Sequence, residues 1–346
     1  MISIIIPTYN RYDQLQRTMQ SLMRLKTDQS LYEIIIIDNG STDSTATIVQ
    51  EFINVYNSKN IYYYFDDTPG LLTGRHLGVE KSNGDILTFI DDDVQVSSTW
   101  LDTISSEMNL KKEVCFLTGP SLPLFESYPP SWLGYFWKNV KNGKSCTWLS
   151  LLDLGNNVQE ISPNYVWGLN FTIRKSTFLE LGGFHPDCIP SHLQMFQGDG
   201  ETGLTMKGIE KGIKALYHPG VLVYHEVPNT RLTFDYFEKR AYYNGVSESY
   251  YKIRLENNLY NKEINHSSIK QSQYTKMSLF FRNKIKKLLL KNQKNRIPIE
   301  VINLKNNLAI KNEEGFQYHQ NQYNNSLNLK KWVLNQNYFD YKLPIL

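Results

Sequence analysis

The segment LTFIDDDVQV (87–96) begins as an apolar, strand-like run and continues into three consecutive carboxylates, Asp91, Asp92 and Asp93. Three other short apolar runs precede it along the chain: SIIIP (3–7), EIIIID (33–38) and IYYYF (61–65). Ile-rich strands without polar alternation are typical of a sheet that is covered on both faces. Residues 86–90 are therefore predicted to form the fourth strand of a buried sheet.

Helix-like segments separate these runs. The periodicity predicts helices over about 11–25, from about 43 onward, and over about 72–81, and Ser41 or Thr42 can cap the second of them. Strands that alternate with helices in this way form βαβ units, which give a parallel sheet with right-handed crossovers. The fold class is therefore α/β.

Composition narrows the class of protein. A chain of 346 residues with 41% hydrophobic residues can bury a large core, as one large domain with an appendage. A net charge of +3 is too small to imply nucleic-acid binding, so no nucleic-acid partner is expected.

The three cysteines, Cys115, Cys146 and Cys188, lie far apart, without metal-ligand spacing, which favours a reducing, cytoplasmic location. No stretch approaches 18 apolar residues and the N-terminus has no basic leader, so neither a membrane span nor export is expected.

Polar residues follow each predicted strand, where parallel sheets bind their ligands. They are Thr8, Tyr9 and Asn10, then Asp38 and Asn39, then Asp66 and Asp67, then Asp91, Asp92 and Asp93. Carboxylates gathered in a partly buried setting repel one another by a few kcal/mol unless a cation lies among them. A hard divalent ion that shares phosphate oxygens fits best, and this indicates Mn²⁺ or Mg²⁺. The alternative is a solvated acidic turn.

Four motifs then identify a family resemblance. They are SIIIPTYNR (3–11), IIIIDNGSTDST (34–45), GLLTGRHLGV (70–79) and GDILTFIDDDV (84–94). In order and spacing they resemble the nucleotide-sugar half of family 2 inverting glycosyltransferases of the GT-A fold. The resemblance implies a GT-A catalytic domain over 1–228, with a nucleotide-sugar half (1–118) and an acceptor and base half (119–228). A helical C-terminal extension is expected over 229–346.

The resemblance also implies the donor-binding residues. Pro7, Thr8 and Tyr9 would line the nucleoside pocket, and Asp38 would bind the base or ribose. Arg75 would face the diphosphate, although His76 stands where the family usually has Asn. Each has an alternative role: Asp38 can belong to a turn and helix cap, Arg75 can pair with a surface carboxylate, and Pro7 and Tyr9 can simply pack.

The same resemblance implies the metal ligands. Asp91 and Asp93 match the DxD pair of the family, in which Asp93 would bind the metal and Asp91 would contact ribose or metal. Asp92, between them, points elsewhere in this pattern and is grouped with the donor-binding residues. His225, after the run VLVYH (221–225), resembles the histidine that completes the metal coordination in many members. The alternative for His225 is a structural role.

The second half is expected to contain the acceptor site and the base. In NYVWGLNFTIRKSTFLELGGFHPD (164–187), Trp167, Gly168 and Asn170 resemble the segment that borders donor sugar and acceptor, although Trp167 can equally pack in the core. The segment GDGETGLTMKGIEKGI (198–213) resembles the family segment that carries the catalytic base, and counting back from Leu204 puts Glu201 at that position. Asp199 is the neighbouring candidate, and helix capping is the alternative role of both residues.

Beyond residue 228 two helices broken at Gly245 are expected, followed by a basic amphipathic stretch over 276–296. Such a helix can lie on an anionic membrane surface and bring the enzyme to a lipid-linked acceptor at the inner face of the membrane. The alternative is a helix packed on the catalytic domain with a solvated basic face.

The function predicted from the sequence is metal-dependent, inverting transfer from a nucleotide sugar, with UDP favoured, to a saccharide or lipid-linked acceptor in glycan synthesis. Processive members of the family that the sequence resembles typically have a Gln-x-x-Arg-Trp sequence and membrane helices. The sequence contains neither, which favours transfer of single residues over polymer synthesis and extrusion. A sugar nucleotidyltransferase is one alternative, but PTYNRYDQ (7–14) lacks the Gly-rich phosphate loop expected there. A non-catalytic carbohydrate-binding or scaffold protein is the other.

Overall fold

A computed structural model of the chain describes residues 1–56, 60–68, 70–261 and 297–340. Within these residues the chain forms two sheets flanked by helices. The strands are β1 (Ile2–Thr8), β2 (Tyr32–Asp38), β3 (Ile61–Phe65), β4 (Ile86–Ile90), β5 (Val94–Val96), β6 (Phe116–Thr118), β7 (Ser121–Phe125), β8 (Lys138–Val140), β9 (Gly143–Cys146), β10 (Leu151–Asp153), β11 (Gln159–Ile161), β12 (Asn170–Arg174), β13 (Ala215–Tyr217) and β14 (Val223–Val227).

The helices in the described residues lie mostly between strands, and the last three follow them. They are α1 (Tyr12–Leu22), α2 (Thr45–Tyr56), α3 (Leu71–Lys81), α4 (Trp100–Leu110), α5 (Lys175–Glu180), α6 (Glu201–Glu210), α7 (Phe234–Glu256), α8 (Ile299–Asn325) and α9 (Leu327–Val333). The strands and helices predicted for the first ninety residues are confirmed, with bounds that differ by a few residues at the helix ends.

The eight-stranded sheet has the order β11-β13-β6-β12-β4-β1-β2-β3. Strands β1 to β4 pair in parallel, as predicted, but β12 runs antiparallel to both β4 and β6. Ile4 and Ile6 of β1 pack in one apolar cluster, while Ile5 belongs to a second cluster on the other face. Both faces of the sheet are therefore covered, which explains why its strands show no polar alternation.

The second sheet has the order β5-β14-β7-β10-β9-β8 and begins directly after the carboxylates of β4. Strand β14 runs antiparallel to β5, with His225 opposite Val94 in the register. The backbone N–H of Glu226 donates to the carbonyl oxygen of Asp93 at 2.9 Å. This pairing brings a histidine from the second half of the chain to the carboxylates at the end of the first.

The predicted break at Gly245 is wrong, because α7 continues through it from Phe234 to Glu256. Gly245 instead marks the place where α8 crosses α7 at short range. A Cβ added at Gly245 would overlap the carbonyl oxygen of Asn312, and one added at Gly315 would overlap that of Tyr242. The two glycines let the helix backbones approach more closely than side chains would permit.

The helical C-terminal extension is present in the described residues as α7, α8 and α9. The basic stretch predicted over 276–296 lies outside the described residues. None of the helices in the described ranges combines the length and the apolar character needed to cross a bilayer.

We predict that Gly245→Ala lowers the free energy of unfolding by about 1–3 kcal/mol, because the added methyl group forces α7 and α8 apart. Chemical denaturation followed by circular dichroism measures the effect. Gly134→Ala is the matched control, since a Cβ at Gly134 would have no atom within 4 Å. Equal stability of the two variants would contradict the tight crossing.

Candidate active site

The carboxylates at the end of β4 lie in three different surroundings. The side chain of Asp91 is 32% exposed, whereas those of Asp92 and Asp93 are each 5% exposed. The Thr8 hydroxyl donates to Asp92 at 2.8 Å, and Arg11 Nη1 lies 2.9 Å from Asp92 and 3.1 Å from Asp93. Burial raises the pKa of Asp92 to about 6, against the opposing effect of Arg11. Asp92 is thus held inside the protein by Thr8 and Arg11.

Asp93 faces His225 and Arg231. One Asp93 oxygen, Oδ1, lies 3.5 Å from His225 Nε2, and the other accepts a hydrogen bond from Arg231 Nη2 at 2.7 Å. Burial opposes ionisation of Asp93, but the positive charges of Arg231 and Arg11 oppose this effect, and the pKa of Asp93 stays well below the usual range. Asp93 is therefore a carboxylate at neutral pH.

The ring of His225 is oriented by its other nitrogen. Nδ1 lies 2.9 Å from the carbonyl oxygen of Leu149, so it carries the hydrogen and donates it. Nε2 then carries no hydrogen, and its lone pair accepts a hydrogen bond from Arg231 Nη1 at 2.8 Å. This is the tautomer that metal ligation through Nε2 requires.

The residues predicted to bind the nucleoside lie at the ends of β1 and β2. Pro7 is buried within β1, and Tyr9 just beyond it is 58% exposed. Asp38 is buried and accepts hydrogen bonds from the Tyr63 hydroxyl at 2.6 Å and the Ser41 backbone N–H at 2.7 Å. The carboxylate of Asp38 is fixed at the sheet edge beside the exposed ring of Tyr9.

Arg75 connects the donor side with the candidate base. Its guanidinium is 3% exposed, with Nη2 3.0 Å from Asp91 Oδ1 and Nη1 3.7 Å from Glu201 Oε2. The guanidinium carbon lies 5.2 Å from the centre of the Phe184 ring. A Cβ at Gly168 would overlap Arg75 Nη2, so the missing side chain of Gly168 makes room for the guanidinium.

His76 has a structural role in this geometry. Its Nε2 accepts a hydrogen bond from the backbone N–H of Phe184 at 3.0 Å, and its ring stacks on Phe184 and contacts Phe339. Burial lowers the pKa of His76 to about 3, so the ring is neutral at physiological pH. His76 thus supports the Gly182-Gly183-Phe184 turn beneath Arg75.

Glu201 is the first residue of α6, where the helix dipole favours a negative charge. Its Oε1 accepts a hydrogen bond from the Gly168 N–H at 3.3 Å, and its side chain is 23% exposed. Burial raises the pKa of Glu201, Arg75 opposes this rise, and Asp187 adds to it. A partly exposed carboxylate with a raised pKa has the character of a general base.

Asp199, the other candidate base, is held by internal hydrogen bonds. Its side chain is 5% exposed and lies 2.6 Å from His185 Nδ1, and it accepts the Tyr260 hydroxyl hydrogen at 2.7 Å. Burial lowers the pKa of His185 to about 3, so this imidazole is neutral. The geometry gives Asp199 a structural role and leaves Glu201 as the more accessible carboxylate.

Two of the residues predicted to border the acceptor, Trp167 and Asn170, make hydrogen bonds within the protein. Trp167 is partly buried, and its Nε1 donates to the carbonyl oxygen of Asn164 at 2.9 Å. Asn170 is buried in β12, where it accepts from Trp100 Nε1 at 3.1 Å and donates to the Val221 carbonyl oxygen at 2.9 Å. The side chain of Asn170 is therefore engaged within the core, and the acceptor role expected for it stays a prediction.

Four contributors to the site were not singled out from the sequence. Arg11 is the last residue of the motif SIIIPTYNR (3–11), and its position just beyond β1 could have indicated a role in the site. Arg231 lies six residues after His225, and only the fold shows that both reach Asp93. Tyr63 and Asp187 have no local signal, since the contacts of each depend on pairing between distant segments.

Comparisons with known proteins bear on the family and the fold. Residues 3–121 match the family model described as Glycosyl transferase family 2. The chain is 34% identical over 101 residues to Glycosyltransferase AglE of Haloferax volcanii, which covers 29% of this chain and 33% of that protein. It is 22% identical over 253 residues to Glucosyl-dolichyl phosphate glucuronosyltransferase of the same organism, covering 71% of this chain and 76% of that protein.

Residues 3–121 are thus similar to glycosyltransferase family 2. The family resemblance predicted from the four motifs is confirmed, and the matched region contains all four of them. The chain spans about a third of the length of AglE and about three quarters of the second relative.

A solved structure confirms the predicted GT-A fold. Mannosyltransferase PcManGT from Pyrobaculum calidifontis, in complex with GDP-Man and Mn²⁺, aligns with a TM-score of 0.53 at 13% identity. The alignment covers 96% of this chain and 78% of that one. At this identity the likeness concerns the fold alone.

The family implies a divalent cation, and two of the predicted ligands fit one. Asp93 Oδ1 is buried and has no hydrogen-bond partner among the described residues, and it faces the lone pair of His225 Nε2. In the described ranges no third His, Cys, Asp or Glu joins them as a cluster. A cation held by these two side chains would need oxygens of a bound diphosphate to complete its coordination. Arg231 contacts both of these side chains, so its guanidinium would compete with the cation for them.

We predict that Arg231→Ala raises the affinity for Mn²⁺ without nucleotide by roughly tenfold or more, because the charged hydrogen bonds of Arg231 contribute about 1.5–3 kcal/mol. Free Mn²⁺ measured by electron paramagnetic resonance during a titration gives the dissociation constant. Arg17→Ala is the control, since Arg17 pairs with Glu226 instead. Unchanged affinity in Arg231→Ala would exclude the competition.

Proposed function

We propose that this protein transfers a glycosyl residue from a nucleotide sugar to an acceptor hydroxyl, with inversion at the anomeric carbon and with a divalent cation. One observation carries the proposal: Asp91 and Glu201, from the two halves of the chain, meet at the buried guanidinium of Arg75. The proposed donor-side carboxylate and the proposed base therefore face the same guanidinium.

Inverting transfer is a direct displacement. The acceptor oxygen bonds to the anomeric carbon while the bond to the diphosphate breaks, and a base on the opposite face takes the hydroxyl proton. We assign this proton to Glu201, because its carboxylate is partly exposed and lies at a helix N-terminus. Asp199 is less suited, since His185 and Tyr260 already occupy its oxygens.

The leaving group requires positive charge. Mn²⁺ or Mg²⁺ would be held by Asp93 and His225, with Asp91 close to ribose or cation, and when bound it would offset the charge that develops on the diphosphate. The nucleoside would lie against Thr8, Tyr9 and Asp38, beyond the ends of β1 and β2.

The donor is proposed to be a UDP-sugar and the acceptor a saccharide or a lipid-linked saccharide. The name of one relative, a glucosyl-dolichyl phosphate glucuronosyltransferase, favours a lipid-linked acceptor. The structurally similar mannosyltransferase holds GDP-Man, so the base of the nucleotide has to be tested. A cytoplasmic location, with attachment through 276–296 to the inner face of the membrane, stays a prediction.

Turnover of a panel of UDP- and GDP-sugars with Mn²⁺ tests the proposal. We predict hydrolysis or transfer by the wild type with at least one UDP-sugar, and a loss of roughly 10²–10⁴-fold in kcat for Glu201→Gln, because the amide cannot accept the proton. Release of the nucleoside diphosphate measures the rate.

Glu180→Gln is the matched control, because Glu180 is an exposed carboxylate paired with Lys211. A wild-type rate in Glu201→Gln would assign the base to another residue. If the wild type turned over no donor at all, a non-catalytic binding protein would replace the proposal.

A further inference from the structure

The resemblance to the family leads one to expect Arg75 at the diphosphate, yet the contacts of its guanidinium point elsewhere. Nη2 meets Asp91 at 3.0 Å, Nη1 faces Glu201 at 3.7 Å, and the Phe184 ring covers the guanidinium carbon at 5.2 Å. With a side chain 3% exposed, Arg75 is buried between the two carboxylates, which are themselves partly exposed.

We propose that Arg75 is a positioning residue for the base Glu201, which it holds in place and in its ionised form. The inference rests on the proposed function, since it gives Glu201 the role of base. In this arrangement Asp91 fixes the guanidinium of Arg75 from the donor side. The buried guanidinium therefore positions Asp91 and the base Glu201 relative to each other.

Both oxygens of Glu201 are held. Oε1 accepts the Gly168 N–H at 3.3 Å, and Oε2 faces Arg75 Nη1. Because a Cβ at Gly168 would overlap Arg75 Nη2, the same glycine provides the hydrogen bond and makes room for the cation. Gly168 and Arg75 therefore act as one unit around the carboxylate.

The charged groups that face Glu201 come from two other segments. Arg75 reaches it from α3, and Asp187 and the Cys188 thiol lie in the loop after α5. Burial raises the pKa of Glu201, Arg75 lowers it and Asp187 raises it. Without the charge of Arg75, only the backbone hydrogen bonds from Gly168 and Glu201 oppose the two raising effects. The base then becomes protonated at a higher pH, and the acid limb of the rate profile moves upward.

Arg75→Gln and Arg75→Lys test the inference through two measurements. The first is the pH profile of kcat for donor turnover, and the second is the dissociation constant of the nucleoside diphosphate with Mn²⁺ by calorimetry. We expect the acid limb of Arg75→Gln to rise by roughly one pH unit or more, as an opposite charge at this range shifts a pKa by about 1–3 units. Arg75→Lys, which keeps the charge, should restore most of the shift, and nucleotide affinity should change less than about threefold.

Arg17→Gln is the control for loss of a surface arginine, and thermal unfolding reports whether each variant is folded. If Arg75→Gln does not fold, Gly168→Ala replaces it, because the added methyl group displaces the guanidinium and should raise the acid limb in the same way. An unmoved acid limb together with tenfold weaker nucleotide binding would make Arg75 a diphosphate contact and overturn the inference. A wild type without turnover on any donor would overturn the proposed function itself, whereas an active wild type with unshifted variants overturns only the role of Arg75.

Discussion

Three carboxylates can stand together at the end of β4 because arginines from three other segments neutralise them. Arg11 precedes α1, Arg75 lies in α3 and Arg231 follows β14, and each contacts Asp91, Asp92 or Asp93. Two like charges 4 Å apart repel by about 4 kcal/mol near a protein surface, and a buried charge left without its partner costs about 3–5 kcal/mol. The positions of these segments are therefore tied to the carboxylate edge.

Hydrogen bonds tie the helical extension to the segment that precedes α6. Asp199, two residues before Glu201, lies against His185 and the hydroxyl of Tyr260, which follows α7. The Tyr250 hydroxyl of α7 donates to that of Tyr338, and the Ser247 hydroxyl donates to the carbonyl oxygen of Gly198. The residues before α6 are thus anchored to the extension. Because α6 begins at Glu201, the extension determines where the candidate base lies.

Local patterns were sufficient to predict much of the first half of the fold. The Ile-rich runs of β1, β2 and β4 cannot be exposed, and the polar residues after them had to gather at one sheet edge. The approach of His225 to Asp93 was expected from the family resemblance, and the antiparallel register of β14 with β5 accounts for it. The features of the first half follow from periodicity and from the four motifs within residues 3–94.

Features that depend on distant contacts were not predictable in this way. Gly245 looks like a helix breaker, and only the crossing of α8 shows that it accommodates the carbonyl oxygen of Asn312. Asp199 and Glu201 are indistinguishable as acidic residues near a helix start, and the choice between them depends on His185 and Tyr260. The same holds for Arg231, because its partner Asp93 lies far from it in the sequence, just before β5.

Gly168 shows that a glycine in a predicted ligand-binding segment can also accommodate a group of the protein itself. A glycine between donor and acceptor segments suggests that a ligand approaches the backbone closely. Here the group that approaches it is the guanidinium of Arg75, which belongs to the protein itself. The missing side chain makes room for a cation that in turn faces Glu201, so the requirement for glycine comes from the electrostatics of these two side chains. A substitution at Gly168 would therefore disturb both Arg75 and the candidate base Glu201.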